Sequence, residues 1–186
     1  MTRIAIFASG SGSNAENIFN YFKENDGVEI SIILTNNPNA FVIERAKKLN
    51  VSCHIFSKTE FLTKDSIVNL LTTAKIDLVV LAGFLLKIPE NLIKVYPNKI
   101  INIHPALLPK YGGKGMYGNN VHKAVVQNKE TESGITIHYV NENYDEGEII
   151  FQAKCPVLAT DTFEAVATKV HELEYEHFPK AINLLL

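Results

Sequence analysis

The amino-acid sequence predicts a doubly wound α/β fold, with a mostly parallel sheet flanked by helices and an antiparallel pair of strands in the C-terminal part. Short apolar runs alternate with longer segments of helical period along the 186 residues, an order typical of this class. The early runs are nearly continuous in Ile, Val and Leu, as expected for parallel strands covered on both faces. The last two runs are joined by the polar stretch NENYDEGE, which is too short for a crossover helix and therefore predicts an antiparallel pair.

Strands and helices alternate over the whole chain. The predicted strands are IAIFA (4–8), EISIILT (29–35), CHIF (53–56), DLVVLAG (77–83), IINI (100–103), GITIHYV (134–140) and IIFQAKCPV (149–157). The predicted helices cover roughly 14–24, 38–49, 59–74, 89–95, 118–128 and 161–177. Ser13 with Glu16, and Asp161 with Glu164, have the spacing of a capping box at two helix starts. No repeat or linker interrupts this order, so we expect residues 1–186 to form one domain.

The composition is that of an ordinary globular protein, with 46% hydrophobic and 20% charged residues. A formal net charge of −2 and the lack of a basic run argue against binding to nucleic acid or to a membrane surface. Cys53 and Cys155 lie in or beside apolar stretches, which predicts buried, reduced thiols. With no signal-peptide pattern and no stretch of transmembrane length, we expect a cytoplasmic protein.

A glycine-rich turn, SGSGSN at residues 9–14, connects the first predicted strand to the first predicted helix. Backbone N–H groups at a helix N-terminus attract anions, and such a turn suits a phosphate. Its glycines also fit the G-x-G-x-x-A spacing of dinucleotide-binding folds. Those folds place an acidic residue after the second strand, whereas this chain has Asn36 and Asn37 there. We therefore expect a phosphate site without NAD, and a tight turn without a ligand remains the alternative.

Two polar side chains interrupt the apolar stretch INIHPALLPKY at residues 101–111. Residues two apart in a strand project to the same side, so Asn102 and His104 point together near the carboxyl end of a predicted parallel strand. Ligands bind at that end in open α/β sheets, and Pro105 ends the strand directly after the pair. The structural alternative is that both side chains only satisfy local hydrogen bonds.

An amide and an imidazolium together can hold a developing oxyanion. An imidazolium needs a nearby carboxylate to keep its proton near neutral pH, and it can then act as a general acid. Asp145 is the best candidate, because it lies two residues before Gly147, where the chain must turn into the last predicted strand. Glu146 and Glu148 are expected to be solvated charges.

Metal sites are not expected. The stretch HELEYEH at 171–177 separates its histidines by six positions, whereas a zincin helix needs a separation of four. The chain has no C-x-x-C motif, and His54, His122 and His138 are isolated in sequence.

Five segments occur in an order that resembles the phosphoribosylglycinamide formyltransferase family, folate-dependent enzymes of purine synthesis. They are IAIFASGSGSN, DLVVLAGF, INIHPALLPKY, SGITIHYV and NYDEGEIIFQAKCPV, and they span essentially the whole chain. The Asn-x-His-Pro-x-Leu-Leu-Pro motif among them is specific to enzymes of folate-dependent formyl transfer and deformylation. The resemblance implies a Rossmann-like formyltransferase fold in which Asn102, His104 and Asp145 are the catalytic residues.

The resemblance also implies which residues bind two small-molecule substrates. Gly12, Ser13 and Asn14 would hold the ribose-phosphate of 5-phosphoribosylglycinamide, and Glu174 would contact the same substrate. The formyl donor, 10-formyltetrahydrofolate, would act as a cosubstrate. Its pocket would be lined by Lys58, Leu85, Leu86, Lys87, Ile88, Asn102, Val140 and Asn141. Leu86 stands where several relatives carry arginine, and Lys87 could take over contact with the folate's glutamate tail.

The implied reaction moves a formyl group from the folate to the amine of 5-phosphoribosylglycinamide, giving N-formylglycinamide ribonucleotide and tetrahydrofolate. Asn102 and protonated His104 would hold the tetrahedral oxyanion, and Asp145 would help to pass a proton to the departing folate nitrogen. A monomer or a homodimer is expected, without metal, NAD, nucleic acid or membrane.

Other functions stay open at this point. A formyltetrahydrofolate deformylase would use the same three residues with water as acceptor, and a methionyl-tRNA formyltransferase would need a basic face for tRNA. These rivals usually carry an extra N-terminal or C-terminal domain, which we do not expect in a chain of 186 residues and net charge −2. A nucleotide-binding oxidoreductase is disfavoured by the missing acid after the second strand. A binding module without catalysis is the remaining alternative.

Overall fold

The computed structural model describes all residues from 1 to 186. The chain divides into two compact units, Met1–Ile101 and Asn102–Leu186. The strands are hydrogen-bonded in the order β3-β2-β1-β4-β5-β6-β7, which confirms the predicted α/β class with a mostly parallel sheet. The prediction of a single domain over 1–186 stays a prediction.

All seven predicted strands are present, to within two residues at their ends. They are β1 Thr2–Phe7, β2 Val28–Thr35, β3 Ser52–Ile55, β4 Leu78–Leu81, β5 Ile100–His104, β6 Glu132–Tyr139 and β7 Ile149–Pro156. The helices are α1 Ser13–Phe22, α2 Val42–Lys48, α3 Lys58–Thr63, α4 Ser66–Thr73, α5 Glu90–Val95, α6 Asn119–Gln127 and α7 Phe163–Asn183. None of these helices is both long enough and apolar enough to cross a membrane.

The first unit is built around β1. This strand pairs in parallel with β2 on one side and with β4 on the other, and β2 pairs in parallel with β3. The last four residues of β1 are fully buried, as expected for a strand covered on both faces. Four aromatic rings (Phe7, Phe56, Phe61 and Phe84) pack together, with centroids 5.0 to 6.1 Å apart. This aromatic cluster therefore lies at the carboxyl ends of β1, where Phe7 is the last residue, and of β4, which Phe84 follows.

The second unit contains the predicted antiparallel pair, β6 and β7. Helices α6 and α7 pack against each other, and α7 also packs against both strands. The register of the pair shifts between Ile137 and His138, and such an irregularity re-aims the side chain beside it. Gly147 is required where the chain enters β7, because a Cβ there would lie 1.6 Å from the carbonyl oxygen of Tyr139.

Two helix predictions are wrong. The predicted helix 59–74 is two helices, because Lys64 adopts an extended backbone and Asp65 precedes the first residue of α4. Helix α7 continues to Asn183, past the predicted end at 177 and through Pro179, since its apolar face stays buried over Phe178 and Ile182.

The two predicted capping boxes are wrong by one residue. Helix α1 is preceded by Gly12 in a left-handed conformation, without a side-chain cap, and Ser13 is already its first residue. Helix α7 is capped by Thr162, whose hydroxyl accepts from the N–H of Ala165. Asp161 instead accepts from the N–H of Leu158 and pairs with Lys169.

Candidate functional site

The polar site of the second unit begins at the end of β5, with Asn102 half-buried and His104 only 4% exposed. Nε2 of His104 lies 2.7 Å from the carbonyl oxygen of Tyr111, so this nitrogen carries the proton and donates it. The other ring nitrogen, Nδ1, faces the Oδ2 atom of Asp145 at 3.6 Å. The ring is thus held between a backbone acceptor and a carboxylate, and its orientation is fixed.

Asp145 reaches His104 from the segment between β6 and β7. Its backbone is in the left-handed region, with φ of 55°, and its side chain is only 13% exposed. Oδ2 accepts the backbone N–H of Gly113 at 2.9 Å. Glu146 and Glu148, the neighbouring carboxylates, are exposed. Of the three acidic candidates, Asp145 is therefore the one at the histidine.

His138 belongs to the same cluster, although it looked isolated in the sequence. The amide Nδ2 of Asn102 lies 3.1 Å from Nε2 of His138, and Nδ1 of His138 lies 2.9 Å from the carbonyl oxygen of Tyr139. The carbonyl requires a proton on Nδ1, so Nε2 accepts the hydrogen bond from Asn102. Burial lowers the pKa of His138, against smaller opposing effects of the Tyr139 carbonyl and Asp145. The ring is therefore a neutral acceptor.

A sequence signal for His138 existed. In β6 the polar residues Thr136 and His138 alternate with buried isoleucines, the same period of two that singled out Asn102 and His104. Thr136 is also engaged, since its hydroxyl donates to the carbonyl of Ala106 and accepts from the N–H of Leu108. This hydroxyl fixes the segment that follows His104, in which the Leu108–Pro109 peptide is cis.

Glu174, predicted to contact a substrate, is 6% exposed on α7. Its Oε2 lies 4.0 Å from Nε2 of His171. The ring of His171 is 6.4 Å from the ring of His122, which is 1% exposed on α6. Burial lowers the pKa of His122 to about 4, and the charges of His171 and His104 act in the same direction. His122 is thus a neutral imidazole close to both histidines.

The predicted phosphate turn lies in the first unit, between β1 and α1. Gly12 has φ of 72°, and a Cβ there would lie 2.3 Å from Cγ2 of Val42. Arg45 donates from Nε to the carbonyl of Ser11 at 2.9 Å and forms an ion pair with Glu16. The backbone of the turn is therefore held by the start of α2, and it opens onto the N-terminus of α1, where backbone N–H groups lack helical acceptors.

The residues predicted to contact the folate differ in exposure. In the first unit, Lys58 is the first residue of α3 and is exposed, as is Lys87. Leu85 is 50% exposed, Leu86 is half-buried and Ile88 is 5% exposed. In the second unit, Val140 is half-buried, and the side-chain oxygen of exposed Asn141 accepts a hydrogen bond from the N–H of Asn143.

No group of three or more His, Cys, Asp or Glu side chains is arranged to hold a metal ion.

A sequence model of the formyl transferase family matches residues 2–182. This chain belongs to the formyl transferase family. The match includes both the glycine turn and the Asn102–His104–Asp145 cluster of this formyl transferase chain.

Several named proteins are similar to this formyl transferase chain. Phosphoribosylglycinamide formyltransferase, chloroplastic, of Arabidopsis thaliana is 36% identical over 98% of this chain, which spans 65% of that protein's length. Phosphoribosylglycinamide formyltransferase of Bacillus subtilis is 35% identical over 100% of this chain and 95% of its own length. The crystal structure of glycinamide ribonucleotide transformylase 1 from Geobacillus kaustophilus matches with a TM-score of 0.91 and 34% identity, over 100% of this chain and 99% of that one.

Proposed function

We propose that the protein transfers the formyl group of 10-formyltetrahydrofolate to the amine of 5-phosphoribosylglycinamide, giving N-formylglycinamide ribonucleotide and tetrahydrofolate in purine synthesis. The observation that carries this proposal is the approach of the Asp145 carboxylate to within 3.6 Å of the His104 ring, two residues along the strand from Asn102. Membership in the formyl transferase family and the names of the relatives support the same reaction.

The chemistry follows from charge development at the formyl carbon. When the amine attacks, the carbonyl electrons move to oxygen, and the tetrahedral intermediate carries a negative charge there. The Asn102 amide donates a hydrogen bond to this oxygen, where preorganised donors are most effective. The His104 ring becomes a second donor when substrate binding exchanges its Nε2 bond to the Tyr111 carbonyl for one to this oxygen. The intermediate then collapses by breaking the bond between the formyl carbon and the folate nitrogen.

Proton movement completes the reaction. The attacking amine must lose one proton, and the departing folate nitrogen must gain one. The Asp145 carboxylate lies 3.6 Å from Nδ1 of His104 and takes part in passing the proton between the two nitrogens. Its low exposure, 13% of the side chain, limits competition from bulk water.

Substrate binding is assigned to two sets of residues. Gly12, Ser13 and Asn14 bind the phosphate of 5-phosphoribosylglycinamide at the N-terminus of α1, and buried Glu174 contacts the glycinamide portion. The folate-binding set consists of Lys58, Leu85, Leu86, Lys87, Ile88, Asn102, Val140 and Asn141.

The location in the cytoplasm and the choice between monomer and homodimer stay predictions.

An absorbance assay for tetrahydrofolate release tests the function and separates it from its rivals. Release is expected with 5-phosphoribosylglycinamide as acceptor and not without it. Release without any acceptor would instead support a deformylase, and release only with methionyl-tRNA would support a tRNA formyltransferase. Absence of turnover with every acceptor, on protein shown to be folded, would overturn the enzymatic function.

A further inference from the structure

Ser9 connects three strand ends in the first unit. It directly precedes the glycines of the turn and is only 7% exposed. Its backbone N–H donates to the carbonyl of Gly83, beyond the end of β4, at 3.0 Å. Its carbonyl accepts from Nδ2 of Asn37, beyond the end of β2, at 3.3 Å. The backbone of Ser9 is thereby tied to both strands that flank β1.

The hydroxyl of Ser9 makes a second pair of links to the same two strands. Oγ donates to Oδ1 of Asn36 at 2.6 Å, and it accepts the backbone N–H of Leu85 at 3.0 Å. A hydroxyl can donate one hydrogen bond and accept another at the same time. Alanine at this position would leave the Leu85 N–H and the Asn36 carbonyl without this partner, at the usual cost for part-buried polar groups.

These links join the two segments to which the proposed function assigns different substrates. Ser9 is the first residue of the phosphate turn, and Leu85 is the first residue of the folate segment 85–88. Asn36 occupies the position where a dinucleotide-binding fold carries its ribose-binding acid. Here its side chain accepts from Ser9 instead, so Asn36 acts as a support for the turn.

We propose that Ser9 is a positioning residue that couples the phosphate turn to segment 85–88, so that the affinities for both substrates depend on this one hydroxyl. This inference rests on the proposed function. A phosphate that fixes the backbone of the turn restricts Ser9, and Ser9 transmits that restriction to the Leu85 amide through its Oγ atom. The Asn36 side chain holds the hydroxyl in the rotamer that makes this possible.

Steady-state kinetics of the Ser9→Ala variant test the coupling. Both KM values, for 5-phosphoribosylglycinamide and for 10-formyltetrahydrofolate, are expected to rise about tenfold, while kcat stays near its wild-type value. Thr162→Ala is the matched control, because it removes the hydroxyl cap of α7 and affects stability without touching either segment. The proposal is wrong if Ser9→Ala behaves like this control, or if only one of the two KM values changes.

Variants at Asn36 provide the rescue experiment. Asn36→Asp keeps an oxygen acceptor for the Ser9 hydroxyl and is expected to retain low KM values, whereas Asn36→Ala is expected to raise both. The Ser9→Ala/Asn36→Ala double variant should be no worse than the poorer single variant, because both changes break one network. Additive effects in this cycle would contradict a shared role.

A measurement without turnover separates failure of the coupling from failure of the proposed function. Inorganic phosphate, added to the wild-type protein, is expected to shift the NMR signal of the Leu85 amide, and the shift should be absent in Ser9→Ala. This result would support the link even if no formyl transfer were detected. If phosphate shifts the signals of the turn but not that of Leu85 in the wild type, the coupling is refuted while the phosphate site stands. If phosphate shifts neither, the coupling is refuted as well.

Discussion

The amide of Asn102 donates a hydrogen bond to the ring of His138, with 3.1 Å between Nδ2 and Nε2. The ring is itself fixed by its bond to the Tyr139 carbonyl, against which Gly147 packs so closely that no side chain fits. The orientation of the Asn102 amide is therefore set by the His138 ring and by the Tyr139 carbonyl that holds this ring. One amide N–H is used in this way, and the proposed reaction assigns the second to the developing oxyanion.

Replacement of His138 by phenylalanine is expected to lower kcat about tenfold to a hundredfold, because a disordered amide is a poorer oxyanion donor. KM values should change little, since the ring itself does not contact substrate in the proposed reaction. His138→Gln is the control, because a glutamine oxygen can still accept from Asn102. Equal losses of kcat in the two variants would show that a hydrogen-bond acceptor at position 138 is not required for turnover.

Asp145→Asn is expected to lower kcat by about 10²–10³ while the affinities for both substrates persist. The variant keeps an oxygen for the Gly113 N–H but loses the negative charge that faces His104. Binding is measured by titration calorimetry and turnover by tetrahydrofolate release. Glu146→Gln removes an adjacent but exposed charge, and an equal loss of turnover there would refute a specific role for Asp145.

Gly12→Ala is expected to destabilise the protein by more than about 2 kcal/mol, since the residue has a left-handed backbone and no space for a Cβ. A Cβ at Gly12 would lie 2.9 Å from Cα of Val42, so side-chain motion alone cannot relieve the clash. A Cβ at Gly10 would meet nothing within 4 Å. Urea unfolding of both variants checks the contrast, and equal destabilisation would contradict it.

The strands and the residues at their ends were predictable because they depend on local patterns. Continuous aliphatic runs gave seven strands, and the period of two placed Asn102 beside His104 at the end of β5. The glycine two residues after Asp145 indicated that this carboxylate could turn back. Each of these signals involves only a few neighbouring residues, so no knowledge of distant contacts was needed.

Features that depend on distant contacts were missed, and so was the choice between adjacent residues that can each cap a helix. His138 is 36 positions from Asn102, and only their approach in the fold makes the histidine a partner. The segment that separates α3 from α4 contains no glycine or proline from which a helix break could be predicted. Both caps were wrong by one residue, since Ser, Thr, Asp and Gly all favour N-caps and here stand side by side. The continuation of α7 through Pro179 reflects buried packing, which overrides helix propensity.

His122 makes folding depend on pH. Its folded pKa of about 4 lies below the ordinary value of 6.5, because a charged ring would be buried beside His171 and His104. Between those two values the unfolded chain binds the extra proton and the folded chain does not. The stabilisation that neutral His122 contributes to the folded state is therefore fully present above the unfolded pKa. It is lost as the pH falls toward the folded pKa.

The expected loss of unfolding free energy from His122 is about 3 kcal/mol between about pH 7 and about pH 4. Urea titrations across this range should show a shallower pH dependence for His122→Leu than for the wild type, because leucine fills the site without titrating. His138, whose pKa is also lowered by burial, remains in both proteins and cancels in the comparison. Parallel curves for the two proteins would mean that His122 takes up its proton in the folded state near its ordinary pKa.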